Sequence, residues 1–441
     1  MRANGWVLVA VAVLGCGGGS TNAEPECVAP TGTGTGHSGA SALTSAETWS
    51  AAGSPHVVTG DLRIGMGGTL TIEPCVEVRM RGPRVITVQA GGTLLAEGTE
   101  KRPIRVVPED AAAFWGYLQL YGPKTSRFAW VSLEGGGNEP TNSYGALEAR
   151  GDQFAAAQPV LFVDHVTVKG SQNYGVSLRS GAAFTGDSHD LVISGSKKAP
   201  LRVLPRLVTN LPSGTYTGNS EDVVQVETEA YGDITLEDVT FKDRGLHYRI
   251  GGPVTEGLLK VGGGDRKATL TLEAGVVLEF KKSGAAGLAI DTGTTDNAAS
   301  GALIAIGTET KPIVLTSAAP FKIAGDWRGV TFGNRPDVTD RLDFVHVEYA
   351  GAPSQAKGFH CIPGGILSND EDAAISLYGQ PTVPFITNTT LLSSAGLGIN
   401  LAYKGMTYDF LTTNTFRSVV GCKQSTPRNM DGACPSNVSC P

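Results

Sequence analysis

The sequence predicts an all-β protein built as one long repeating stack, and three observations carry that prediction. Segments of four to seven residues rich in Val, Ile, Leu and Thr recur along most of the chain, separated by Gly, Asn, Asp and Pro. Amphipathic helical periodicity is almost absent. The long middle of the chain also repeats itself at a spacing of about 200 residues. Composition agrees. Glycine supplies 59 of 441 residues, and 41% hydrophobic content is ample for a core, which excludes a disordered chain. No strict Gly-x-y period exists, so collagen is excluded. A net charge of -7 argues against a nucleic-acid partner, which would call for a basic stripe.

The elements follow in order. Arg2, an apolar run from Trp6 to Leu14 and the small residues around Gly15 describe a secretory signal peptide over residues 1–15. The run is about half the ~20 residues a membrane-spanning helix needs. Val13-Leu14-Gly15-Cys16 resembles the bacterial lipobox. That resemblance implies lipidation of Cys16 with palmitate-class chains, cleavage before it, and a membrane as partner through the lipid. Two or more acyl chains anchor stably. Gly17 in place of Asp after the cysteine points, by analogy with Gram-negative lipoproteins, to the outer membrane. Residues 16–39, rich in Gly, Ser and Thr, read as a flexible tether. Residues 40–59 read as an amino-terminal cap with a short helix near Ala42 to Ala52. Residues 60–250 and 251–420 are the two halves of the stack, and 421–441 form a cysteine-bearing tail that caps the other end.

The duplication is explicit. LTIEPCVEV at Leu70 returns as LTLEAGVVL at Leu270, and GGTLLAEGTEKRPIRV at Gly91 returns as SGALIAIGTETKPIVL at Ser300. Trp115-Gly-Tyr-Leu118 returns as Trp327-Arg-Gly-Val330, and RFAWVSLE at Arg127 returns as RLDFVHVE at Arg341. This order of phrases resembles the right-handed parallel β-helix proteins of the pectin-lyase-like class, over roughly Val57 to Val420. TYTGNSEDVVQVE at Thr215, followed by GLHYRIGGPV at Gly245, resembles a linking phrase of that class. The resemblance implies a solenoid of about sixteen rungs, on the order of 75 Å long at ~4.8 Å per strand. It implies little about activity, since such folds carry many functions. The rival architecture, a pair of β-sandwiches, would need antiparallel hairpin turns, and Asn-Gly and Asp-Gly pairs are scarce.

Setting Cys16 aside leaves Cys27, Cys75, Cys361, Cys422, Cys434 and Cys440. An even six in an exported chain reads as three disulfides, with many connectivities open. One arrangement pairs Cys434 with Cys440, Cys361 with Cys422, and Cys27 with Cys75. A zinc site is the rival, but no C-x₂-C pair exists.

Standard catalytic motifs are missing from the folded region: no HExxH, Walker loop, EF-hand or G-x-S-x-G. Three acidic places remain. Asp337, Asp340 and Asp343 precede His346 and Glu348, whose alternation with Val345, Val347 and Tyr349 puts the histidine and glutamate on one outer face beside Arg341. Asp343, His346 and Glu348 are therefore catalytic candidates, against a plain solvated face with cross-strand ion pairs. Asp370-Glu371-Asp372 offers a loop that could wrap calcium, with Asp370 and Asp372 as ligands; otherwise no cofactor is expected. Asp291, Asp296 and Asn297 read as a surface loop. The seven histidines show no ligand spacing. Trp115 and Trp327 read as packing residues. The sequence alone thus favours a non-catalytic, lipid-anchored envelope rod for adhesion, glycan binding or envelope structure, with polysaccharide or another envelope protein as partner. A surface-anchored polysaccharide lyase or glycoside hydrolase is the runner-up.

Overall fold

Alternation decides which side of each strand is covered. In Leu62–Ile64, Thr69–Ile72 and Ala268–Leu272 the aliphatic residues are buried and those between them face outward. A computed structural model of the protein describes residues 26–122, 124–141, 144–228, 234, 237–252, 255–263, 266–291, 300–353, 372–427 and 439–441. Over these residues it is all-β, with parallel strand pairing and only two short 3-10 segments, Ala51–Gly53 and Pro205–Asn210. Parallel pairing rules out the antiparallel sandwich alternative.

The strands form a thirteen-stranded sheet, a twelve-stranded sheet and two five-stranded sheets. In the thirteen-stranded sheet one register line passes through Leu62, Ile86, Leu118, Leu147, Val176, Leu201, Val224, Tyr248, Leu278, Leu315, Val347, Leu391 and Phe416. All but Phe416 are almost fully buried, and they join one continuous core. Stacking like on like removes the same apolar face from water at every level. Thirteen strands at ~4.8 Å span roughly 60 Å.

Equivalent strands of the duplication do not fall in equivalent sheets. Glu77–Met80 and Ile104–Pro108 belong to the twelve-stranded sheet; their counterparts Val277–Phe280 and Ile313–Ser317 belong to the thirteen-stranded one. Leu118–Tyr121 lies in the thirteen-stranded sheet, but its counterpart Val330–Phe332 lies in a five-stranded sheet. The second copy is therefore joined with a slip of one face, made where Val223–Val226 pairs with His247–Ile250. Pro205–Asn210 sits at this junction, where the twelve-stranded sheet ends at Gly214–Thr215 and a five-stranded sheet begins at Val239–Phe241. Its buried Arg206 donates to the carbonyls of Gln153 and Ala155, and Thr209 Oγ1 accepts from the Thr240 amide at 3.0 Å.

The ends differ from expectation. No α-helix forms at Ala42–Ala52, where the only helical turn is the 3-10 segment that begins at Ala51. Ala46–Trp49 is instead a strand paired with Thr69–Ile72, because edge pairing and burial of Trp49 outweigh a weak helical propensity. Thr35–His37 pairs with His56–Val58, so ordered pairing begins inside the segment read as a tether. Cys27 is bonded to Cys75, as the sequence suggests. Among the described residues the other bond is Cys422–Cys440, which corrects the pairing of Cys361 with Cys422 and of Cys434 with Cys440. Thr426 N–H donates to the Ser439 carbonyl at 2.8 Å, and this return of the chain brings the Cys440 and Cys422 Cα atoms within 5.5 Å. Cys16, Cys361 and Cys434 lie outside the described residues, as does the signal peptide.

Candidate functional site

Long strands turn a corner without breaking. Ser126–Glu134 and Gln158–Lys169 each run through one residue in the left-handed region, Trp130 at φ 51° and His165 at φ 50°. Asp190, at φ 52°, does the same one level on. Pairing of Ala129 with Asp164 and Val131 with Val166, then of Asp164 with His189 and Val166 with Leu191, stacks Trp130, His165 and Asp190 directly over one another. Non-glycine residues in this region are uncommon and cost on the order of 1 kcal/mol each, so a stack of three marks a constrained corner.

At that corner the side chains of Asp164, His165, His189 and Asp190 converge, with one donor atom from each within 4.8 Å of the others. His165 Nδ1 lies 2.5 Å from Asp164 Oδ1, and its ring stacks on Trp130 at 3.9 Å and 8°. His189 Nδ1 lies 3.0 Å from Asp190 Oδ2 and 3.4 Å from Asp164 Oδ1, while His165 Nε2 lies 3.6 Å from Asp190 Oδ2. The group borders an open cleft of about 430 Å³ lined by Pro103, Trp130, Ser132, Thr167, Asp190 and Thr215, among others. Such a cleft offers an aromatic ring, hydroxyls and a carboxylate along one flank.

The sequence argument finds no ligand spacing among the histidines, and the structure corrects it. His165 and His189 are neighbours through strand pairing, not chain separation. A signal did exist: Asp164-His165 precedes Val166-Thr-Val168, and His189-Asp190 precedes Leu191-Val-Ile193, so the same two residue types, in opposite order, stand before the aliphatic alternation on successive levels.

The structure separates the candidates named from sequence. Asp343 ends a strand of a five-stranded sheet, and His346 and Glu348 lie beyond Phe344 (φ 51°) on the thirteen-stranded sheet. Asp343 Oδ1 accepts from Thr387 Oγ1 at 2.9 Å and Asn388 Nδ2 at 2.8 Å. His346 Nδ1 is 3.9 Å from Glu348 Oε1, and Glu348 accepts from Thr316. Asp340 is buried and accepts the amides of Leu303 and Asp337; burial pushes its carboxyl up to about 7 against those donors. Asp337 pairs with Lys267 at 2.6 Å. Burial raises its carboxyl, but the Lys267 ammonium and the Thr339 hydrogen bonds more than offset that and hold it low. Asp291 is a buried acceptor for Ser300 and the Arg335 amide. Asp372 is partly buried beside strand Ala373–Leu377; Asp370, Glu371, Asp296 and Asn297 lie outside the described residues.

Trp115 and Trp327 are buried anchors. Their indole N–H groups donate to the carbonyls of the equivalent residues Glu134 and Glu348, at 2.6 and 2.7 Å. A second cleft, of about 480 Å³, opens where the two copies meet and includes Tyr174, Lys198, Gln225, Arg249, Lys281 and Lys282. Arg249 there pairs with Glu221 and Glu279, Lys282 with Asp326, and Lys281 with the Gly252 and Thr255 carbonyls.

No protein-family model, no curated protein and no solved structure matches this chain. Among the described residues no helix is long and apolar enough to cross a membrane.

Proposed function

We infer that the protein is an exported, lipid-anchored rod of the cell envelope, a right-handed parallel β-helix that binds glycan on its flank without transforming it. The observation that carries this reading is the register line from Leu62 to Phe416, one apolar column under thirteen parallel strands. A stack of that kind is stiff, and right-handed connection is the rule for parallel strands joined by crossovers. The Cys27–Cys75 bond fits export to an oxidising compartment and fastens the chain entering from the amino terminus to the base of the stack. Lipid on Cys16 supplies the anchor, and the outer membrane of a Gram-negative cell is the address. The ligand class rests on the corner cleft, where Trp130 provides a ring face and Ser132, Thr167 and Thr215 provide hydroxyls, the usual means of holding a sugar.

One observation favours the runner-up, a polysaccharide lyase or hydrolase. His165 and Asp190 stand in the wall of the same cleft, where a base could face a bound sugar. A polysaccharide array read for binding and for unsaturated or shortened products separates the two. Binding that Trp130→Ala weakens, without new products, supports the rod; product formation lost with His165→Ala establishes an enzyme. Retention of the Cys16→Ser variant in the membrane fraction would refute the anchor.

A further inference from the structure

We propose that Asp164, His165, His189 and Asp190 bind one divalent ion of the zinc class, riveting two adjacent levels of the stack. Four features of the group point to it, none of them resting on the glycan reading.

The first is preorganisation. Asp164 and His189 are direct partners in the parallel ladder, and His165 and Asp190 follow them at the corner, so strand spacing alone fixes the gap between donors. Trp130 stacked at 3.9 Å and the left-handed backbone hold the His165 ring in place. The second is distance. A tetrahedral ion with ligands at ~2.0–2.1 Å sets its donors about 3.3 Å apart. The donors Asp164 Oδ1, His189 Nδ1, Asp190 Oδ2 and His165 Nε2 follow one another at 3.4, 3.0 and 3.6 Å. One donor atom from each residue lies within 4.8 Å of the others, so the side chains have to draw together and Asp164 has to leave His165 Nδ1 to hold an ion.

The third is charge. Among the described residues, the charged partners of Asp164 and Asp190 are the two histidines alone, with no Lys or Arg within ion-pair distance. With neutral imidazoles the group carries two negative charges side by side, which a divalent cation neutralises. The fourth is donor type. Two imidazoles with two carboxylates suit zinc, copper, nickel or cobalt. Calcium prefers six to eight oxygen ligands, so the calcium considered from sequence is not the ion this corner selects.

The test uses untagged full-length protein in detergent, stripped with chelator and dialysed. Zn²⁺ and, separately, Ca²⁺ are titrated calorimetrically, and Co²⁺ is added while its visible absorption is followed. One equivalent of Zn²⁺ and a tetrahedral Co²⁺ spectrum are expected, with Ca²⁺ at least 100-fold weaker. His189→Gln and Asp190→Asn should each weaken Zn²⁺ binding ~10–100-fold. Asn388→Ala, at the equivalent corner of the second copy, should leave it unchanged. Far-ultraviolet circular dichroism confirms that each variant keeps its strands. Three results would each overturn the proposal: no Zn²⁺ binding, Zn²⁺ binding that survives combined His165→Ala and His189→Ala, or tighter Ca²⁺ binding. None of them bears on glycan binding, which the array reads independently.

Discussion

The corner of the first copy and the corner of the second share a backbone and differ in everything else. Trp130 and Phe344 occupy matching positions of the duplication at the same φ of 51°, and His165 and Asn388 follow one level on at 50° and 47°. In the first copy the strand runs on through the corner, and Asp164, His165, His189 and Asp190 gather outside it. In the second the strand breaks at Phe344, and Asp343 is spent on hydrogen bonds to Thr387 and Asn388. The fold asks only for a left-handed residue at each turn of the corner. Which residue stands there is left open, and one copy has used that latitude to collect metal-ligating side chains.

Substitutions test how far the two copies are alike. The largest effect belongs to what they share. Trp115→Ala and Trp327→Ala each remove a buried indole and its hydrogen bond, and each is expected to cost ~3–5 kcal/mol in urea denaturation. A loss below about 1 kcal/mol at either position would show that the copies are not anchored alike. Opening the base comes next. Cys27→Ser with Cys75→Ser should lose ~2–4 kcal/mol, and reductant should then have less further effect on that variant than on the parent.

The corners themselves give a smaller and opposite pair. Asp343→Ala removes the acceptor of two hydrogen bonds and should cost ~1 kcal/mol by denaturation. Asp164→Ala in metal-free protein should change stability by under about 0.5 kcal/mol, because it also relieves repulsion from Asp190. Equal costs at both sites would erase the distinction drawn above.

The smallest effect lies at the base. Burial, then the neighbouring His56, hold the His37 imidazole below its ordinary 6.5, with Glu47 opposing. A lowered folded-state value means the unfolded chain takes up the proton first. This contribution to stability is thus complete above pH 6.5 and declines as pH falls below it. The thermal midpoint should drop between pH 7.5 and 5.5, and His37→Asn should flatten that slope. A midpoint that rises on acidification with the parent and is unchanged by the substitution would contradict this origin.

Much of the fold could be read in advance. Short aliphatic runs and the phrases repeated at Leu70 and Leu270 dictate parallel stacking, since each strand hides the same face on its neighbour's. The slip between copies could not be read, because it depends on which strand Val223–Val226 meets after the junction, a matter of pairing and not of pattern. The site was half visible. Asp343 lies at a corner of the same kind in the second copy, whereas the first-copy group was missed, because the sequence shows acids that are close along the chain and hides those brought together across levels. The disulfide at Cys422 follows the same logic: a fold-back fixed by Thr426 and Ser439 decided the partner, and proximity in the chain did not.

The one-face slip sets the two halves of the stack out of phase. Had the copies stacked in phase, the corner of the second would have continued the corner of the first. With the slip, the first corner opens within a single bent sheet and the second at a seam between two sheets, on different sides of the stack. The two halves of the stack therefore present unlike corners, one gathering histidines and carboxylates and the other closed by hydrogen bonds.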